Sequence, residues 1–183
     1  MKKLFLSIFA ASAVLMPGVS KAGNLHDDHA ELWKTLQDIG IVTLINHTNH
    51  CNDRIGLDGI YYTYAGMLVI CQEKMIPGSD KQFNWTVSDY NTLRHEAHHV
   101  VQDCAAGGYS GDGKTTTLFN EDEFDKFVRM SSYSIEDLKE LYSRLNNKGL
   151  SKKVIREEIE AYVVAEDIDA ESIKTKLIEF CSR

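Results

Sequence analysis

Apolar positions along the chain change period several times, and each change predicts an element. In "HAELWKTLQDIG", residues 29–40, Leu32, Leu36 and Ile39 are spaced three and four apart like one face of a helix, and Gly40 ends it. "IVTLIN", 41–46, is a short apolar run that reads as a buried strand. The Asn-, Asp- and Gly-dense segment 46–59 reads as loop. "IYYTYAGMLVIC", 60–71, is aromatic and β-branched with Ala65-Gly66 near its middle, which predicts a hairpin or two strands. After a loop around Pro77-Gly78, residues 86–104 read as one long helix with Thr86 or Ser88 as N-cap, followed by a glycine-rich loop at 105–117. Beyond it the pattern is helical. Asn120 with Glu123, and Ser134 with Asp137, have the spacing of capping boxes. Ser151 and Asp169 fit the caps of two more helices, with Gly149 stopping the helix before Ser151. The expected fold class is α+β: a small, mainly antiparallel sheet packed on the central 86–104 helix, followed by a helical C-terminal half.

The N-terminus changes the picture of compartment. Lys2 and Lys3 precede an apolar run from Leu4 to Met16, then Pro17-Gly18 and the small residues Ser20 and Ala22. This is the pattern of a secretory signal peptide, too short to anchor in a membrane. Residues 1–22 are expected to be removed, leaving 23–183 as a single domain that is secreted or periplasmic. Losing the three lysines of that segment takes the net charge from −7 to −10. So acidic a chain is a poor fit to nucleic acid or anionic lipid. No membrane anchor is expected, and a monomer is the expected state. Four cysteines, Cys51, Cys71, Cys104 and Cys181, suggest two disulfides in an oxidising compartment. Spacing alone does not choose among the three pairings. Element order favours Cys51 with Cys71 and Cys104 with Cys181, with Cys71–Cys104 as the competitor.

The chemistry concentrates in "LRHEAHHVVQDC", 93–104. Residues four apart on a helix differ by about 40° in direction, so His95 and His99 can aim two imidazoles at one ion. Glu96, rotated by about 100° from His95, lies beside that ion without having to bind it. This is the content of H-E-x-x-H: two metal ligands and a general base next to a metal-bound water. His98, between them, reads as a solvent or packing residue. His47 and His50, with Asp53 nearby, read as a solvated polar loop, and His26 and His29 as solvent-facing.

On these residues the sequence resembles the zincin metallopeptidases. Gln102 and Ala105 stand where the metzincin extension would have its glycine and third histidine. The resemblance is instead to the gluzincin branch, whose third ligand is a glutamate on a later helix. It implies Glu160, in Glu160-Ala161, as that ligand, with Glu157 as the alternative. The aspartate that usually follows four residues later is Val164 here, leaving Asp103 and Asp167 to orient a histidine. The resemblance further implies a bound Zn²⁺, peptide or protein substrates, and an exposed edge strand before the helix, for which Gly66–Cys71 has the right place in chain order. Tyr109 and Tyr162 are candidates to stabilise the oxyanion. The function expected is a secreted zinc metallopeptidase with Glu96 as general base. The alternative is a non-enzymatic binding protein on the same fold with a structural or vestigial metal. A deformylase-type hydrolase does not fit, because no cysteine ligand loop is found and an export signal is expected.

Overall fold

The computed structural model describes residues 25–52, 58–108 and 113–181. The segment read as a signal peptide, Asp53 and Tyr109 lie outside these. The helical periodicity of the first segment gives α1 (Asp27–Asp38), whose Leu32, Trp33 and Leu36 are buried. Chain reversal at Gly40 (φ 96°) leads into β1 (Val42–Ile45). Asn46, at φ 52°, ends that strand. Its buried side chain pairs with Gln72, accepting from the Gln72 N–H at 2.8 Å and donating to Gln72 Oε1 at 2.9 Å. A short turn of helix, α2 (Thr48–Cys51), follows.

The hairpin segment divides into β2 (Gly59–Tyr62) and β3 (Met67–Ile70). The sheet order is β1-β3-β2, with β1 parallel and β2 antiparallel to β3. The architecture is therefore α+β with a small mixed sheet, one of its two pairings being parallel. This order also relocates the edge. Gly66–Cys71 forms the central strand, not an exposed one, because β1 takes its second side. The edge next to the long helix is β2.

That helix is α3 (Val87–Ala105), started by a complete capping box. Asp89 N–H donates to Thr86 Oγ1 at 3.2 Å, and Thr86 N–H to Asp89 Oδ2 at 2.8 Å. The same device opens α4 (Glu121–Met130) at Asn120 and α5 (Ile135–Asn147) at Ser134. Ser151 caps α6 (Lys152–Asp167). Asp169 accepts from the Ser172 N–H at 2.7 Å and so caps α7 (Ala170–Cys181).

Two larger apolar cores result, beside a small cluster of Cys51, Val69 and Cys71 on the sheet. The larger joins α1, the sheet, α3 and α7 around Leu32, Leu36, Leu68, Ile70, Leu93, Val101, Ile173 and Leu177. The smaller, of Leu141, Leu145, Ile155, Ile159 and Val163, holds α4 and α5 on α6. Helix α3 lies between the sheet and α6 and packs on α7 as well, so its 95–99 turn is framed by both halves of the molecule. Disulfides join Cys51 to Cys71 and Cys104 to Cys181, the arrangement favoured by element order. Two disulfides fit an extracellular or otherwise oxidising compartment. Among the described residues, no helix is long and apolar enough to cross a membrane.

Candidate metal centre

The 95–99 turn of α3 opens on a cavity of about 460 Å³. Its walls come from β2 (Gly59 to Tyr61), from α3 (Asn91, Thr92, His95, Glu96, His99), from α6 (Glu158, Tyr162, Glu166), and from Tyr133 and Lys148 at the two ends of α5. The helical spacing does what it implied. His95 Nε2 and His99 Nε2 lie 3.0 Å apart. A carboxylate completes the group, but it is Glu158. Its oxygens stand 3.5 Å from His95 Nε2 and 3.6 Å from His99 Nε2. One ligand atom from each of the three lies within 4.8 Å of the others, so the group could hold a metal ion.

The expected third ligand is thereby corrected. Glu160 is fully buried and its oxygens are taken elsewhere. They lie 2.8 Å from His98 Nε2 and accept from the Leu118 N–H at 3.0 Å and from Gln102 Nε2 at 3.2 Å. Glu157, the alternative, accepts from Thr115 Oγ1 at 2.9 Å and pairs with Lys153 at 3.1 Å. The reason is rotational. Residues 157, 158 and 160 leave α6 in directions about 100° and 200° apart, so only one of them can face α3's histidine pair.

Glu96 is buried on the cavity wall. Strand β2 is what holds it. Cys71 N–H donates to the Asp58 carbonyl at 2.8 Å, and the alternation of an antiparallel pair then turns the backbone of Gly59 and Tyr61 away from β3. The Tyr61 N–H donates to Glu96. The close approach depends on Gly59: a Cβ there would lie 2.6 Å from Thr92 Cγ2 and 2.9 Å from Glu96 Cγ.

Electrostatics sets these groups apart. Burial pushes Glu96 up to about 7, against the pull of His99. Burial also pushes His95 down to about 4. His99 goes the other way, to about 9: burial opposes its charge, but the hydrogen-bonded Glu158 carboxylate outweighs it. Glu158 is held below the usual carboxylate range, since the two imidazoles outweigh its own desolvation. Tyr162 stacks at a tilt on His95, with ring centroids 4.5 Å apart, and burial raises its hydroxyl above the ordinary range. It therefore stays a donor at neutral pH.

The remaining candidates fall away from the centre. Asp103 accepts from Tyr61 O–H at 2.7 Å and so ties β2 to α3. Asp167 accepts from the Ser132 N–H at 3.0 Å. His29, expected to face solvent, is buried between Asp28 and Arg94. His50 Nδ1 lies 3.3 Å from Tyr62 O–H, with the His47 ring 5.1 Å away, and no third ligand joins them among the described residues. Three residues of the centre were not foreseen: Glu158, Tyr133 and, behind His99, Gln102, whose Oε1 is 2.8 Å from His99 Nδ1. The one sequence signal for Glu158 is that it precedes Tyr162 by four residues and so shares its face of α6.

Neither the curated proteins nor the solved structures contain a match to this chain. One family model does match, over residues 23–182, and it spans α3, β2 and α6 together. The chain belongs to the family described as a domain of unknown function (DUF8637).

Proposed function

We propose that the protein is an exported zinc-dependent metallopeptidase with Glu96 as its general base. The observation that carries this is the convergence of two imidazole nitrogens, one carboxylate and a separate buried glutamate on the wall of one cavity. The spacing suits zinc. Four-coordinate zinc with nitrogen or oxygen ligands at about 2.0–2.1 Å sets its ligand atoms roughly 3.3 Å apart. Here the two imidazole nitrogens are 3.0 Å apart, one Glu158 oxygen lies 3.5 Å from His95 Nε2 and the other 3.6 Å from His99 Nε2, so the carboxylate faces both rings. Two histidines and one carboxylate also form the donor set of a catalytic site that keeps a fourth position open.

Zinc bound by His95, His99 and Glu158 would supply an acidified water and polarise a substrate carbonyl. The chain's own groups do the rest. Glu96, held by the Tyr61 N–H on the cavity wall beside the histidine pair, is placed to take a proton from that water and pass it on. Tyr162, protonated and against His95, can donate to a developing oxyanion. Strand β2 turns the Gly59 backbone away from β3 on the cavity side, which suits an extended peptide laid along it.

The test uses zinc-loaded protein and a broad fluorogenic peptide library. Glu96→Gln should keep its zinc while kcat/KM falls 10²- to 10⁴-fold, the usual worth of a general base. Equal cleavage by that variant would overturn the role of Glu96. Stoichiometric zinc in the wild type without cleavage of any library member would favour a binding protein instead.

A further inference from the structure

We infer that Gln102 is a positioning residue that fixes which nitrogen of His99 faces the metal; this rests on the metal centre read above. The argument starts from the one group in the network that can only accept. The Glu157 backbone carbonyl lies 3.1 Å from one end of the Gln102 amide, so that end must be the NH₂. The second hydrogen of the same NH₂ goes to Glu160 Oε1 at 3.2 Å. With both donors spent on α6, the amide oxygen is the end facing His99 Nδ1 at 2.8 Å. An amide oxygen cannot donate, so the hydrogen of that bond belongs to Nδ1. A neutral ring protonated there has its lone pair on Nε2, the atom beside His95 and Glu158.

Gln102 has no freedom to turn over. It is fully buried. Its carboxylate partner Glu160 is held in turn by His98 Nε2 at 2.8 Å and by the Leu118 N–H at 3.0 Å. The chain Leu118–Glu160–Gln102–His99 therefore runs from the loop after α3, through α6, to the metal ligand. His95 has no counterpart, since its buried Nδ1 meets no hydrogen-bond partner among the described residues. Its ring packs on Tyr162, centroids 4.5 Å apart, and its Nε2 faces Glu158 and His99. Of the two histidines, only His99 has a hydrogen-bond partner behind it on Nδ1 among the described residues. This gives the buried Glu160 a role as the anchor of a ligand's support, in place of a ligand.

The experiment is a zinc titration of the full chain in competition with a chromophoric chelator, beside multiple-bond ¹⁵N–¹H spectra of the zinc-loaded wild type. Gln102→Met keeps the side chain's length and removes its acceptor. It should weaken zinc binding 10- to 100-fold, the range typical for loss of a group behind a metal-bound histidine. The spectra should show His99 coordinated through Nε2 with its proton on Nδ1. Coordination through Nδ1 overturns the inference, as does a folded Gln102→Met that binds zinc within twofold of wild type. If Gln102→Met does not fold, the wild-type spectrum alone decides. A wild type that binds no zinc removes the metal reading and this inference with it. A zinc-binding wild type with an unaffected variant removes only this one.

Discussion

At the scale of single residues, the three glutamates of α6 divide their work by direction. Glu158 meets the histidine pair at the cavity, Glu157 pairs with Lys153, and Glu160 is buried against His98. Substitution separates them. Glu158→Ala should dialyse to substoichiometric metal while remaining folded, since that side chain is partly exposed and belongs to no core. Glu160→Ala should still load stoichiometric metal, with affinity weakened no further than in Gln102→Met, but lose about 3–5 kcal/mol in a denaturant titration, as expected when one partner of a buried pair is removed. The opposite pattern, metal lost only in Glu160→Ala, would return the third ligand to that residue. Glu96 carries a pH signature in the metal-free protein. Its folded pKa is about 7 against an ordinary 4.5. Below 4.5 the group is protonated in both states and contributes no difference. Between 4.5 and 7 the unfolded chain ionises first, so the fold loses stability as pH rises, and above 7 the loss is complete. A shift of this size is worth up to about 3 kcal/mol. Glu96→Gln, which cannot ionise, should match wild-type stability at pH 4 and exceed it at pH 8. A constant difference across that range would mean that Glu96 is solvated as an ordinary carboxylate.

At the scale of elements, the decisive contact is β2 against α3. Gly59 lets them meet, and its backbone does not require positive φ, so the constraint is steric and specific. Gly59→Ala would put a methyl into Thr92 Cγ2 and Glu96 Cγ on a helix that cannot easily give way. Overpacking of this kind costs about 1–3 kcal/mol. Thr92→Ser removes the nearer clash and keeps the Oγ1 bond to the Ser88 carbonyl. The double variant should therefore be more stable than the two single effects summed, a coupling read by a thermal double-mutant cycle. Additivity would mean that the helix has simply moved. This contact also marks where sequence stops being informative. The caps at Thr86, Asn120, Ser134 and Ser151 are local pairings within three residues, and they were legible. So was the pairing of His95 with His99, because four-residue spacing on one helix fixes their common face. The choice among Glu157, Glu158 and Glu160 depends on how α6 is rotated about its axis. That rotation is set by Ile155, Ile159 and Val163 packing on α5, a non-local matter. The order of strands is equally non-local: β1 pairs parallel to β3 across more than twenty residues, which moves the edge from β3 to β2.

At the scale of the whole molecule, the candidate metal centre sits between the two larger cores, and covalent links secure only one side of it. Cys51–Cys71 closes a separation of 20 residues and fastens the end of α2 beside the end of β3. Cys104–Cys181 closes 77 residues and fastens the last turn of α3 to the end of α7. That last turn contains Gln102 and Asp103, which hold His99 and Tyr61. The smaller core of α4, α5 and α6 carries Glu158 and Tyr162 and has no disulfide. Its grip on the rest runs through α6 on α3 and through the buried Glu160 contacts. On the chain-entropy model the longer loop is worth about 4.5 kcal/mol and the shorter about 3. Replacing Cys104 and Cys181 together by alanine should thus lower stability more than replacing Cys51 and Cys71. Hydrogen exchange gives the finer reading, because local opening follows the weaker tie. In wild-type protein the amides of α4 and α5 should exchange faster than those of α3 and α7. In the Cys104/Cys181 double variant, protection should fall at the C-terminal turn of α3 and along α7 while α4 and α5 stay as they were. Uniform loss across both cores would mean that the two halves open as one unit, and that the metal centre is framed by a single cooperative body.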